Sequence, residues 1–276
     1  MHNPTTVIVG VGLIGGSLAR ALRTRNLATE IIGVESNAAS ARWALDHGLV
    51  DRIEAHIPDN ADLIALCTPS DQIAQWVIDL AEHPATVIDV ASVKAPIVQV
   101  LDEHQQRFPR FVPCHPISGS EKSGPEAATE DLFNAATVVV TPGAETDTLV
   151  KSQVIEFWEA LGASVLEMTA QAHDEALALT SHLPHLLAFA YMQQVEADHL
   201  PLTGGGFRDF TRIAEANPEL WWRIFALNKA PLLAALSGFG EQIDALAQAI
   251  EQDDRASGLA IIAEAAGRRE TYAKHD

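Results

Sequence analysis

Thr5-Thr6-Val7-Ile8-Val9-Gly10-Val11-Gly12-Leu13-Ile14-Gly15-Gly16 is the stretch from which the architecture follows. The β-branched apolar run reads as a buried strand, and a Gly-x-Gly-x-x-Gly pattern follows it directly. From Leu13 to Arg25 the apolar residues recur at helical spacing. Glycines alone are a weak signal, because an ordinary turn gives the same letters. The surroundings decide the reading. Glu30-Ile31-Ile32-Gly33-Val34-Glu35 forms a second strand whose last residue stands twenty positions after Gly15. This is the layout of a dinucleotide-binding βαβ unit. In it Gly10 permits the tight turn, Gly12 lets the backbone approach a pyrophosphate, and Gly15 lets the helix pack on the strand. The helix start at Leu13 and Ile14 offers unpaired amides to the phosphates.

Glu35 can accept hydrogen bonds from ribose hydroxyls and would repel a 2′-phosphate. No Arg or Lys stands in Ser36-Asn37-Ala38-Ala39, so NAD is expected in preference to NADP. Thr68 and Pro69, at the end of a strand over 61–67, are expected to lie over the cofactor. A helix cap by Ser70 is the competing reading of that segment.

Further strands are expected at 86–90, 111–114, 136–141 and 163–168, with helices at 38–47, 71–82, 95–105 and 147–161 between them. Strands alternating with helices, several of them continuous apolar runs, predict an α/β, doubly wound, mainly parallel sheet. After Met168 the pattern changes to Ala/Leu-rich helices, one over 171–197, one opening at Asn217-Pro218, others at 240–252 and 254–270. Two domains are expected, 1–169 and 170–276, the second all-helical.

The 276 residues carry a formal charge of −19, which disfavours nucleic acid and anionic membranes as partners. An anionic substrate would need a local basic cluster to overcome that field. No apolar run is long enough to span a membrane, and no basic, apolar leader opens the chain. Cys67 and Cys114 both sit in apolar runs, which suggests a reducing compartment, and a cytoplasmic protein is expected.

Four segments carry chemistry. In Asp89-Val90-Ala91-Ser92-Val93-Lys94 a strand hands over to a helix, and Ser92 is either a hydrogen-bonding group of the site or an N-cap. His115 follows the apolar run Phe111-Val112-Pro113-Cys114 and precedes Gly119-Ser120-Glu121, where ligands sit in open α/β sheets. In Ser181-His182-Leu183-Pro184-His185 the imidazoles stand at i and i+3, on one helix face, and Pro184 denies the carbonyl of Thr180 its helical partner, so a kink is expected. Two hydrogen-bonded core histidines are the alternative. No spacing motif supports a metal site built from His182, His185 and Cys114 or His115. Last, Gly204-Gly205-Gly206-Phe207-Arg208-Asp209-Phe210-Thr211-Arg212 places two guanidiniums at i and i+4, suited to carboxylate, with a solvated surface position as the other reading of Arg208.

These segments, in this order along almost the whole chain, resemble the prephenate/arogenate (cyclohexadienyl) dehydrogenase family of tyrosine biosynthesis. The glycine turn is generic; the last three segments are specific. The resemblance implies a Rossmann-like domain followed by an all-α C-terminal dimerisation domain, a homodimer, and oxidative decarboxylation of a small dicarboxylate, prephenate or arogenate. It also implies roles. His115 would accept the hydroxyl hydrogen bond and proton as hydride leaves ring C4, with Ser92 sharing that bond. An unperturbed imidazole would suit that task. Arg212 would bind the ring carboxylate. His182 and His185 would line the site, with Ser120 and Glu121 bordering it. Rival readings are another dehydrogenase or imine reductase of the same architecture, or a dinucleotide sensor without activity. Such dehydrogenases commonly use a Lys on the helical domain, and 170–228 contains none. A sensor leaves the histidine pair and the arginines unexplained.

Overall fold

The computed structural model describes residues 4–104, 107–118 and 122–273. Strand β1 (Thr5–Val9) leads through the glycine turn into helix α1 (Leu13–Thr24), and β2 (Glu30–Val34) returns parallel to β1 in the register Val7↔Ile32. Then follow α2 (Ala38–Asp46), β3 (Arg52–Ile53), β4 (Leu63–Leu66), α3 (Ile73–Asp79), β5 (Thr86–Asp89), α4 (Ala95–Asp102) and β6 (Phe111–Val112). The six strands form one parallel sheet in the order β3-β2-β1-β4-β5-β6. Strand order reverses between β1 and β4, so a crevice opens beyond their carboxyl ends. Gly10 and Thr68 lie there.

Alternation along the strands sets the two cores. Ile8 faces a cluster with Leu18 and Leu22 of α1, while Val7 and Val9 face Ile73, Val77, Ile97 and Leu101 of α3 and α4. β3 had no counterpart in the sequence reading; a two-residue strand carries too little alternation to be seen.

The chain leaves this sheet at Pro113. β7 (Cys114–Ile117), β8 (Thr137–Val140), α5 (Thr148–Ala160) and β9 (Ser164–Glu167) follow, and the three strands make a second sheet, β7-β8-β9. Within it β7 runs antiparallel to β8 and β9 parallel to it. The expected strand over 111–114 is therefore two strands in different sheets. Pro113 has no N–H for a ladder, and the amide of Cys114 donates to Asp89 Oδ1 at 3.0 Å. His115 consequently lies inside β7, paired in register with Val139.

Beyond β9 the structure is helical: α6 (Ala170–Leu177), a π-helical turn (Ala178–His182), α7 (Leu183–Met192), α8 (Gly205–Thr211), α9 (Pro218–Leu227), α10 (Lys229–Glu251) and α11 (Arg255–Ala273). The helix expected over 171–197 is thus interrupted where Pro184 cannot serve Thr180 O, and the chain answers with i→i+5 bonding. α9 starts as expected, with Asn217 Oδ1 accepting the amide of Leu220 at 3.0 Å and Pro218 in the first turn. The described residues divide into two compact units, one ending at Lys229, the other starting at Ala230. In the second unit, Asp254 caps α11 through the amide and hydroxyl of Ser257, and Ile243, Ile250, Leu259 and Ile262 are exposed. Among the described residues no helix is long and apolar enough to cross a membrane.

Candidate active site

The glycine turn has the geometry its letters require. Gly10 holds φ +90°, and a Cβ there would stand 2.7 Å from Cys67 O. At Gly15 a Cβ would stand 2.2 Å from Gly10 O and 2.9 Å from Ile8 Cγ2, so α1 and β1 are as close as glycine allows. Nothing lies within 4 Å of the Cβ position at Gly12, which leaves room over the turn. Glu35 folds onto it from the end of β2: Oε2 accepts the amide of Val11 at 2.8 Å, and Oε1 accepts that of Asn37 at 2.8 Å.

Across the crevice, Pro69 precedes a short 3₁₀ turn, Ser70–Gln72, and its carbonyl accepts Gln72 N at 2.9 Å, so no Ser70 side-chain cap is needed. Thr68 Oγ1 is buried and has no hydrogen-bond partner among the described residues, as is also true of Ser118 Oγ. An orphaned buried hydroxyl is costly unless a ligand or water completes it. Open space at Gly12, acceptors at Glu35 and an unpartnered hydroxyl at Thr68 fit a dinucleotide laid across the switch point, with Leu13 and Ile14 at the helix start.

The next strand end brings the chemistry. Asp89, last residue of β5, is fully buried. It is paired with the equally buried Lys94 and accepts the amides of Ala91 and Cys114. One carboxylate thereby fixes the loop carrying Ser92 and the first residue of β7. Ser92 is half-buried and is not the cap of α4. The amides of Lys94 and Ala95 go instead to Asp174 Oδ1 and Oδ2, at 2.9 and 2.7 Å.

His115 is 9% exposed. Its Nδ1 lies 2.8 Å from His173 Nε2, and His173 Nδ1 lies 2.7 Å from Asp174 Oδ1. Burial first, then the neighbouring His173, Lys94 and His182, hold the His115 imidazole well below its ordinary value. The sequence reading expected an unperturbed group; the apolar surroundings of β7 correct that.

His182 is buried too, and its Nδ1 lies 2.9 Å from Asn228 Nδ2. The same Nδ2 donates to Asp174 O at 2.8 Å, so His182 Nδ1 accepts and its proton sits on Nε2. Burial lowers His182 to about 4, against a raising influence of Asp174. His185 donates Nδ1–H to Ser181 O at 2.9 Å and stacks on Trp221, ring centroids 3.5 Å apart. Burial also lowers His185; its Ser181 bond opposes this and the Arg212 charge adds to it. Arg212 is exposed, and with Arg208 it borders a hollow of about 780 Å³ beside Phe189 and Phe207.

The structure links His115, His182 and His185 through His173, Asp174, Asn228 and Trp221, and the charge of Arg212 reaches His185, with Ser92 at the adjoining strand end. Ser120 and Glu121 lie outside the described residues. Among the described residues no three His, Cys, Asp or Glu side chains are placed to hold a metal ion. Sequence reasoning missed His173, Asp174, Asn228 and Trp221. Two of these had a signal: in α6 the buried positions are His173, Asp174 and Leu177, so a polar pair occupies the inward stripe of an otherwise ordinary helix.

Comparison with known proteins agrees over nearly the full length. The profile of the family described as prephenate dehydrogenase, nucleotide-binding domain, matches residues 18–167, and that described as prephenate dehydrogenase, dimerization domain, matches 169–264. A prephenate dehydrogenase of Bacillus subtilis is 34% identical over 263 residues, 91% of this chain and 71% of that protein. The crystal structure of prephenate dehydrogenase from A. aeolicus in complex with hydroxyphenyl propionate and NAD+ is similar at a TM-score of 0.89 and 33% identity, covering 99% of this chain and 98% of that one. Synechocystis arogenate dehydrogenase is similar at 0.79 and 31% identity, covering 97% and 99%.

Proposed function

The chain belongs to the prephenate dehydrogenase family, and on that premise we propose that it catalyses NAD-dependent oxidative decarboxylation of prephenate to 4-hydroxyphenylpyruvate, of arogenate to tyrosine, or of both. The observation that carries the reading is the placement of a buried, neutral imidazole, His115, beside the carboxyl end of β5. That is the same sheet edge on which the glycine turn and Glu35 stand.

Gly10, Gly12, Leu13, Ile14, Gly15, Glu35, Thr68, Pro69 and Ser92 would hold the dinucleotide. NAD, when bound, accepts the hydride from ring C4. His115 accepts the C4 hydroxyl hydrogen bond and holds the proton at Nε2 while the carbonyl forms. Loss of CO2 makes the ring aromatic, and His115 returns the proton to the phenolate oxygen. Ser92 shares the hydroxyl bond. His182, with Nε2 protonated, is a donor to substrate oxygens. Arg212 pairs with the ring carboxylate, and His185 stands near the side-chain carboxylate, with Ser120 and Glu121 at the border.

The reading includes two domains, 1–169 for the dinucleotide and 170–276 for substrate and dimerisation. It also includes a homodimer in the cytoplasm. Exposed apolar side chains support the dimer: Leu202 and Trp222 in the first unit, Ile250 and Ile262 in the second, are 84%, 71%, 76% and 56% exposed. Light scattering at micromolar concentration should give twice the 29.7 kDa chain mass. The deciding experiment mixes protein, NAD and prephenate or arogenate and follows NADH by absorbance. NADH formation is expected with at least one of them. Another hydroxy-acid dehydrogenase, an imine reductase or a dinucleotide sensor would give none.

A further inference from the structure

Asp174 gathers three N–H groups in the candidate site. Oδ1 accepts the amide of Lys94, Oδ2 accepts that of Ala95, and Oδ1 also contacts His173 Nδ1 at 2.7 Å. Backbone amides can only donate, so Asp174 is committed as an acceptor, and the third contact is Nδ1–H of His173 donating. A neutral His173 then has its lone pair on Nε2. The 2.8 Å contact between His173 Nε2 and His115 Nδ1 needs one hydrogen between them. His115 Nδ1 must supply it. The remaining nitrogen of His115, Nε2, is left without a proton.

We propose that His173, backed by Asp174, is a positioning residue that holds His115 in the Nδ1–H tautomer, so that its basic Nε2 is always the nitrogen presented to substrate. The inference rests on the reading of His115 as the base. When the substrate O–H breaks and the proton joins Nε2, His115 keeps its Nδ1–H bond to His173. The new positive charge is then opposed by the Asp174 carboxylate one imidazole away. Among the described residues, the charged and titratable groups around His115 are His173 and Asp174 on α6, Lys94 and Asp89 before α4, and His182 on the π turn. Of these, only His173 contacts the ring of His115 through a nitrogen, and only Asp174 steadies His173. Asp174 also holds the two amides that open α4, so the group that sets the tautomer sets the Ser92 loop as well.

The test uses the full chain labelled with 15N at histidine. Long-range 1H–15N spectra at neutral pH show which ring nitrogen carries the proton, and His115→Asn assigns the signal by removing it. His115 should be protonated on Nδ1. Two variants separate positioning from packing. His173→Gln can still accept from His115 Nδ1–H through Oε1 and donate to Asp174 through Nε2; it should keep the tautomer and lose about tenfold or less in kcat. His173→Phe fills the space without an acceptor; it should lose about 10²-fold or more in kcat, with substrate KM and NAD affinity within about twofold of wild type. Its kcat should also fall differently with pH, since His115 then titrates without its partner.

A wild-type His115 carrying its proton on Nε2 would overturn the proposal, as would equal losses in His173→Gln and His173→Phe. If His173→Phe does not fold, the wild-type tautomer and the His173→Gln rate still decide. Near-normal turnover in His115→Asn would instead remove the base itself, while leaving the tautomer measurement standing.

Discussion

The carboxylate of Glu35 accepts the backbone amide of Val11 at 2.8 Å, tying the end of β2 to the middle of the glycine turn. One side chain thus braces the turn and lines the place where an adenosine ribose would lie. A 2′-phosphate would meet this fixed negative charge. Catalytic efficiency with NAD should exceed that with NADP by at least about tenfold, or roughly 1.4 kcal/mol. Glu35→Gln keeps the size but not the charge, and should narrow the ratio. Equal use of NADP by the unaltered enzyme would contradict this account of β2.

Replacement of His115 by Asn should lower turnover about 10²–10⁴-fold and leave NAD binding unchanged. The pH profile adds a sharper expectation. Burial keeps His115 well below the ordinary imidazole value, so the enzyme should hold its rate as pH falls through about 6.5. A rate that halves near that pH would show a solvated base.

Arg212→Ala should raise substrate KM roughly ten- to several-hundredfold, because a hydrogen bond to a charged group is worth about 1.5–3 kcal/mol. Turnover at saturation should fall much less. Arg212→Lys should recover part of the loss, since an ammonium lacks the two-pronged geometry. Arg208 borders the same hollow, and Arg208→Ala should have the smaller effect. An unaltered KM in a folded Arg212→Ala enzyme would take the residue out of the site.

Buried neutral imidazoles make folding sensitive to acid. In the unfolded chain His182 titrates near about 6.5, whereas in the fold it is lowered to about 4. Between those values the unfolded state binds more protons, so stability is lost as pH falls, by roughly 3 kcal/mol from this residue. His182→Asn offers Asn228 an acceptor that does not titrate. Denaturant titrations at neutral pH and near pH about 4.5 should show a smaller difference in that variant. An identical difference would mean that other groups dominate acid unfolding.

The parallel sheet was legible because its strands are continuous apolar runs, and Gly10, Gly15 and Glu35 stand where those runs said they would. The departure at Pro113 was hidden because it depends on Asp89, twenty-five residues away in sequence, capturing the amide of Cys114. A window that scores local periodicity has no access to such a contact. The candidate site was legible where residues are chemically conspicuous, as with His115, His182, His185 and Arg212. It was hidden at His173 and Asp174, which sit on the inward stripe of α6. Helical periodicity there marks the extent of the helix but does not say that a His and an Asp face inward.

The π turn at Ala178–His182 has a consequence for how the histidines come together. Each residue of an α-helix advances about 100°, so nine residues would leave His173 and His182 about 180° apart, on opposite sides of a rod. Taking one additional residue into a turn sets every later side chain back by about 100°. His182 then points within about 80° of His173 and almost in line with Asp174, which is how Asn228 can reach both His182 Nδ1 and Asp174 O. Convergence of the imidazoles therefore depends on the π turn as much as on the identities of the residues. The same residues wound as regular α-helix would keep every functional side chain and turn His182 to the side of the helix away from His173.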